Sequence, residues 1–96
     1  MPKVQERIYS LDTEATGLDL PHGARPFFVS MCDTAGIVQY WQADVDPLTR
    51  QPYWHSSDIK EIQAVIDDAD KLILQNPKFD LKGLSLIGLR LSLINI

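Results

Sequence analysis

A helix-type segment that leads into a strand-type segment constrains the fold of this 96-residue chain more than any other feature. Apolar residues at helical spacing predict one buried face of an amphipathic helix: Ile59, Ile62, Val65 and Ile66. Ser56-Ser57-Asp58 offers an N-cap, with Glu61 three residues after Asp58 as in a capping box. The run Lys71–Leu74 (KLIL) that follows is typical of a short strand. Because crossover helices join parallel strands, this succession predicts an α/β sheet.

The segments before this helix are of strand and loop type. Alternating or β-branched and aromatic patterns predict three strands, at residues 6–12, 27–32 and 37–41. Residues 33–36 (DTAG) join the last two strands with hairpin-type chemistry. Glycine, proline and polar residues predict loops at residues 13–26 and 44–52. The first half of the chain is therefore predicted to form three antiparallel strands.

A second helix is predicted over residues 79–87, with Gly88 as its stop, and residues 89–96 look like the beginning of a further strand. The order of elements is thus β-β-β-α-β-α. A right-handed crossover would place the fourth strand parallel to the first. This order predicts an α/β fold with a mixed sheet of the ribonuclease-H-like type.

Charge and composition exclude several classes of protein. Thirteen acidic and nine basic side chains give a net charge of −4, which excludes a simple polybasic nucleic-acid binder. An enzyme whose acidic centre holds cations that meet phosphates stays possible in principle. Cys32 is the one cysteine, so an intramolecular disulfide is excluded, and its apolar surroundings predict a buried, inert thiol.

The sequence also carries no membrane or secretion signal. No apolar run approaches the roughly 18 residues that a membrane span needs. The first residues, MPKVQERIYSLD, are too polar for a secretory signal. We therefore expect a cytoplasmic protein without a membrane partner.

Three carboxylates are expected at one edge of the predicted sheet. Asp12 and Glu14 lie two residues apart at the end of the first strand, so their side chains point to the same face. Asp80 follows the fourth strand at the start of the second helix. If these two strands are parallel neighbours, the three side chains converge. Solvated acidic residues at strand ends are the ordinary alternative, whereas a convergent set requires cations between the charges. Oxygen ligands select Mg²⁺ or Mn²⁺, and two such ions are a standard device for phosphodiester cleavage.

Two sequence motifs include these carboxylates. Residues 11–18 (LDTEATGL) resemble the first motif of the DEDD superfamily of 3′–5′ exonucleases, D-x-E-x-x-x-L, and residues 75–84 (QNPKFDLKGL) resemble the second, N-x-x-F/Y-D. They occur in the family's order, about 65 residues apart. Residues 22–26 (HGARP), before Phe27-Phe28-Val29, are similar to the proofreading domain of phage-type family A DNA polymerases.

The resemblance implies a role for each matching carboxylate. Asp12 would bridge two Mg²⁺ or Mn²⁺ ions, Glu14 would hold the ion that activates the attacking water, and Asp80 would serve the second ion. The implied reaction is hydrolysis of the 3′-terminal phosphodiester of single-stranded DNA, which releases a nucleoside monophosphate. The implied setting is a bacterial or phage-infected cell, with a polymerase domain as a partner.

The same resemblance implies substrate contacts. Leu18 would wedge against the terminal bases of the strand, and Asn76 would contact the sugar-phosphate backbone. Thr13 and Phe79 belong to the same predicted substrate-binding set. Both DNA and RNA stay open as substrates.

The chain departs from the family pattern in two places. Ala15 replaces a frequent threonine, which removes no metal ligand. The third motif, which supplies a fourth carboxylate and a Tyr or His that orients water, does not occur in the 96 residues. The resemblance thus implies that residues 1–96 are the N-terminal part of an exonuclease domain, with an incomplete sheet and one unpaired strand edge. The alternatives are a catalytically inactive remnant that binds metal or nucleic acid weakly, and a small acidic interaction domain.

Overall fold

A computed structural model of the chain describes residues 6–91. Its strands are β1 (Ile8–Ala15), β2 (Pro26–Asp33), β3 (Val38–Gln42), β4 (Asp44–Val45), β5 (Pro52–Tyr53) and β6 (Lys71–Leu74). Its helices are α1 (Ser56–Asp68), between β5 and β6, and α2 (Pro77–Leu86), after β6, with a short 3-10 turn at Leu20–His22. The result is a small mixed α/β fold that is compatible with part of a ribonuclease-H-like fold. Neither helix within residues 6–91 has the length and apolar character needed to cross a membrane.

The main sheet has four strands in the order β3-β2-β1-β6. β1 pairs with β2 in antiparallel orientation, and β2 pairs with β3 in the same way. β6 lies parallel to β1, with Ile8 opposite Lys71 and Leu11 opposite Leu74. The predicted parallel placement of this strand is confirmed. The C-terminal ends of β1 and β6 therefore lie at one edge of the sheet, where α2 begins.

The core lies on one face of this sheet. Buried apolar side chains of three strands and both helices form it: Leu11, Val29, Met31, Leu72, Leu74, Ile62, Ile66 and Leu84. Successive strand residues point to opposite faces, so the alternate positions face away from the helices. Tyr40 on β3 and Ile73 on β6 are accordingly exposed. Cys32, another of these positions, is half-buried rather than buried as predicted.

Helix α1 has the predicted buried face but a different start. Ile62 and Ile66 are buried, and the other two apolar residues of the face pack against the core. The predicted capping box is wrong, because the N-cap is His55 and makes no side-chain cap hydrogen bond. The His55 carbonyl accepts the N–H groups of Asp58 and Ile59. Asp58 therefore lies inside the first turn, where its charge interacts favourably with the helix dipole.

Strand boundaries differ from the prediction where pairing with another strand decides them. β1 continues to Ala15 because Thr13 pairs with Val29 and Glu14 with Phe28, so the first residues of the predicted loop are strand. β4 and β5 form a small antiparallel pair at the two ends of the predicted loop at 44–52. Residues 89–91 form no strand, and the rest of the strand expected at 89–96 lies outside the described residues.

Helix α2 ends at Leu86, one residue before the predicted end, and the predicted stop at Gly88 follows it. Gly88 has φ +95°, a conformation that glycine adopts without the strain of a side chain. Its N–H donates to the Ser85 carbonyl at 3.2 Å, and the Leu89 N–H donates to the Leu84 carbonyl at 3.0 Å, which is a Schellman motif. The helix begins at Pro77, two residues before the predicted start, because proline suits the first helical position.

Candidate functional site

Strand β1 presents two carboxylates to solvent near its C-terminal end. Asp12 and Glu14 are both exposed and alternate with the buried Leu11 and the half-buried Thr13. They therefore lie on the sheet face opposite the helices. An Asp12 carboxylate oxygen accepts the N–H of Thr13 at 3.0 Å. The pairing register with β2 shifts between Glu14 and Ala15, directly after this acidic pair.

Asp80 has a different environment from the other two carboxylates. It lies in the first turn of α2 and is only 2% exposed, the one buried charged side chain among residues 6–91. Its Oδ1 accepts a hydrogen bond from the Thr13 hydroxyl at 2.7 Å, and its Oδ2 accepts the N–H of Asn76, the N-cap residue, at 3.1 Å. These donors and the nearby helix N-terminus compensate the cost of burying the charge.

The two acidic motifs therefore meet, as the parallel pairing of β1 and β6 predicted. Thr13 and Asp80, 67 positions apart in sequence, are in direct contact. However, Thr13 points to the core face, whereas Asp12 and Glu14 point to the opposite face, so Asp80 lies on the other side of the strand from them.

The expected convergence of three carboxylates on one point is not found. Within residues 6–91, no three Asp, Glu, His or Cys side chains lie close enough together to hold a metal ion. The reason is that Thr13 and Asn76 hold the Asp80 carboxylate inside the protein. Asp12 and Glu14 expose carboxylate oxygens, which are the type of ligand that Mg²⁺ and Mn²⁺ take. The two-ion centre implied by the sequence resemblance does not fit this arrangement of the described residues.

Three of the four predicted substrate-binding residues line a single groove. Leu18, Asn76 and Phe79 surround a space of about 490 Å³ beside the start of α2. Leu18 is 88% exposed, and Phe79 is half-buried. The groove is mostly apolar, and Lys78 and Lys82 contribute its cationic groups. Lys82 was not among the predicted site residues, although its spacing of four residues from Lys78 places both lysines on one side of a helix. Thr13, the fourth predicted residue, contacts Asp80 instead.

Helix α2 is held close to the sheet at this end. A Cβ atom added at Gly83 would lie 3.0 Å from the Pro26 ring, which begins β2, so glycine permits the approach. The Trp54 indole N–H donates to the Pro26 carbonyl at 2.9 Å and ties the segment before α1 to the same point. This packing holds α2 against Pro26, which pairs with Ala15 at the end of β1.

Comparisons with known proteins define the fold class but not a family. No protein-family model matches the chain, and no curated protein matches it. The structure is similar to part of the family B DNA polymerase from the hyperthermophilic archaeon Pyrobaculum calidifontis, with a TM-score of 0.62 at 13% sequence identity. The similarity covers 96% of this chain and 13% of the polymerase chain. At that identity the similarity shows a shared fold alone. It concerns a family B polymerase, so it gives no support to the narrower resemblance to phage-type family A polymerases.

Proposed function

We propose that residues 1–96 contribute the first two acidic motifs of a 3′–5′ exonuclease domain that acts on single-stranded DNA. The observation that carries this proposal is the 2.7 Å hydrogen bond between the Thr13 hydroxyl and the Asp80 carboxylate. Residues of the two motifs have no reason to touch in an arbitrary α/β fold. Their contact at the C-terminal edge of parallel strands supports a common location for the two motifs.

The similarity of the fold to part of a solved DNA polymerase chain is an independent observation that supports a role in DNA metabolism. The sequence motifs resemble nucleases that proofread DNA synthesis, and the fold matches a segment of a protein that synthesises DNA. We therefore propose the 3′ end of single-stranded DNA as the substrate and a polymerase domain as the partner.

The exposed carboxylates of Asp12 and Glu14 are the proposed ligands of a divalent cation, Mg²⁺ or Mn²⁺. Such an ion, when bound, would neutralise phosphate charge and supply an activated water for in-line displacement. A net charge of −4 would repel DNA, so a cation at this acidic edge also makes contact with a phosphate possible. The role of Asp80 as a direct ligand of a second ion stays a prediction.

The groove beside α2 is the proposed position of the terminal nucleotides. Leu18 and Phe79 offer apolar contact to bases, and Lys78 and Lys82 offer cations to the backbone phosphates. A groove that combines apolar surface with two ammonium groups suits a ligand with flat rings and separate negative charges. Asn76 lines the groove, and its N–H donates to the Asp80 carboxylate.

A second candidate function is a domain that binds one divalent cation weakly and catalyses nothing. It is favoured by the engagement of both Asp80 oxygens with protein donors and by the lack of a three-ligand cluster within residues 6–91.

The deciding experiment is a nuclease assay on protein made from the complete reading frame that contains these residues. With Mg²⁺ or Mn²⁺, a 5′-labelled single-stranded DNA should shorten stepwise from its 3′ end, and Asp12→Ala should abolish the shortening. Asp67→Ala, which removes an exposed carboxylate of α1, is the matched control and should cleave like the wild type. An intact substrate, or cleavage that survives Asp12→Ala, would refute the proposal. An intact substrate together with cation binding at Asp12 would favour the second candidate, and an RNA strand assayed in parallel gives the sugar preference.

A further inference from the structure

We propose that the sheet face opposite the two helices is a docking surface for an amphipathic helix of a partner protein, with basic residues at one end of that helix. This open face is formed by the strand positions that alternate with the core positions. Parallel strand pairs such as β1 with β6 are typical of sheets that helices cover on both faces. Within residues 6–91, however, both helices pack on the core face. Docking at the open face goes beyond the proposed function and does not depend on nuclease activity.

The open face has the shape of a trough. Apolar side chains that are more than half exposed stand on both outer strands, Val38 and Tyr40 on β3 and Ile73 on β6. Small side chains lie on the inner strands between them, with Ser10 of β1 opposite Ile73 and Cys32 of β2 opposite Val38. Val38, Ile73 and the small residues line a space of about 350 Å³. The floor of the trough is therefore low, and its two sides are apolar.

The width of the trough fits one helix. Three strand-to-strand steps separate β6 from β3. At about 4.8 Å a step, the two sides stand about 14 Å apart. An α-helix with its side chains is about 10–12 Å across. A helix with one apolar face thus fits between the sides and places that face on the small residues of the floor.

A second copy of the chain does not fit this shape. In a two-fold dimer of open faces, the raised outer strands of one copy would meet the raised outer strands of the other. Ser10 and Cys32 of both copies would then face each other across a gap, where dispersion contacts are lost. The convex surface of a helix fills the trough, whereas a second trough leaves it empty.

The charge at one end of the trough favours a basic helix end. Asp12 lines the trough, and Glu14 follows it on the same face of β1. Both are exposed, and neither forms an ion pair within residues 6–91. The distance from Ser10 to Glu14 is about 13 Å along the strand, which a helix covers in about nine residues. Lys or Arg at that end of the helix would donate to both carboxylates, and would compete there with any bound cation.

The test measures the binding of designed helical peptides to the 96-residue chain by fluorescence anisotropy. The lysine peptide has an alanine background, leucines along one face and two lysines at one end, and is about 18 residues or roughly 27 Å long. The glutamate peptide replaces both lysines by glutamates. The lysine peptide should bind roughly fivefold more tightly, and added salt should reduce this ratio, because exposed ion pairs are weak and screened.

Variants of the chain test whether the trough is the binding surface. Val38→Thr combined with Ile73→Thr removes apolar contacts from both sides and keeps β-branched side chains. This double variant should weaken binding of the lysine peptide by roughly tenfold. Ile37→Thr combined with Val45→Thr changes two exposed apolar residues that do not line the trough, and should bind like the wild type. Circular dichroism establishes that each variant is folded.

A second pair of variants tests the charge. Asp12→Asn combined with Glu14→Gln should remove the preference for the lysine peptide, because only the two charges are lost. Asp67→Asn combined with Glu61→Gln changes two exposed carboxylates of α1, and is the matched control. This control should keep the preference of the wild type.

Several results would overturn the proposal. The first is that the lysine peptide does not bind, or binds no better than the glutamate peptide. The second is that the variant with Val38→Thr and Ile73→Thr binds as tightly as the wild type. Self-association that this same variant abolishes, measured by analytical ultracentrifugation, would make a second copy the occupant. Binding by the 96-residue chain but not by protein made from the complete reading frame would show that the same protein covers the face.

Discussion

Replacing Asp80 by alanine should destabilise the metal-free protein markedly, although the residue carries a charge that is costly to bury. The substitution removes the acceptor of two hydrogen bonds, from the Thr13 hydroxyl at 2.7 Å and from the Asn76 N–H at 3.1 Å. It leaves the Asn76 N–H without its partner at the start of α2. The carboxylate of Asp80 is 2% exposed, so water does not replace it without rearrangement.

The expected loss follows from these contacts. Hydrogen bonds to charged groups contribute about 1.5–3 kcal/mol each. The Thr13 hydroxyl can rotate toward another acceptor, and removing the charge relieves its desolvation, so the net effect falls below the sum. We expect Asp80→Ala to lower the free energy of unfolding by about 2–4 kcal/mol. Domains of this size have about 5–14 kcal/mol in total, so the loss is a large fraction of the stability.

Urea unfolding in the presence of a chelator measures this loss without any contribution from metal. Fluorescence of Trp41 and Trp54, both half-buried, reports the transition. With a slope of about 1–2 kcal/mol per molar urea, the midpoint should fall by roughly 2 M at an unchanged slope. Asp67→Ala, the exposed matched control on α1, should stay within about 0.5 kcal/mol of the wild type. An Asp80→Ala protein as stable as that control would show that Asp80 is not held by these two hydrogen bonds.

Four further outcomes test other parts of the molecule. Leu84→Ala should lower the free energy of unfolding by about 2–5 kcal/mol because the side chain is fully buried. The same change at Leu48, which is 93% exposed, should cost less than about 0.5 kcal/mol, and equal urea midpoints would contradict the described core. Trp54→Phe removes the indole donor to a β2 carbonyl and should cost about 1–2 kcal/mol by the same assay. Gly88→Ala should lower the free energy of unfolding by about 1–2 kcal/mol because φ is +95°. A neutral result would contradict the left-handed backbone conformation of Gly88 at the end of α2. Mn²⁺ at 100 times its Kd should add about 2.7 kcal/mol to the wild type and nothing to Asp12→Ala, as thermal unfolding would show.

Local patterns in the sequence correctly predicted where an element begins or ends when the residues at that boundary determine it. Strand β6 matches its predicted range at both ends, because KLIL lies between Asp70 and the polar Gln75-Asn76-Pro77 turn. The stop of α2 at Gly88 was predictable for the same reason, since only the local backbone conformation requires it. Where pairing with a neighbouring strand sets the end of an element, the prediction was wrong. Residues 13–15 look like a loop in sequence and become strand because β2 lies beside them.

The candidate site was also predictable only in part. The meeting of the two motifs followed from strand order alone, since parallel strands that are neighbours share an edge. The direction of the Asp80 side chain did not follow, because it depends on two donors, Thr13 and Asn76, that only the folded chain brings to it. A threonine flanked by two carboxylates was visible in the sequence. Its role as a donor to the second motif was not, since alternation along β1 places its hydroxyl on the face opposite its neighbours.

The parallel pairing of β1 with β6 also determines when the site can form during biosynthesis. β1 can pair with β2 as soon as the intervening turn is made, but its partner on the other edge, Lys71 opposite Ile8, is 63 positions away. At about 5–20 residues per second, β6 leaves the ribosome about 3–13 s after β1, and closing so long a loop carries an additional entropic cost. During that interval β1 lacks its β6 partner, and Asp80 has not been synthesised. The acidic edge is therefore assembled late, and by the same logic it should be among the first parts to exchange amide hydrogens when the fold opens.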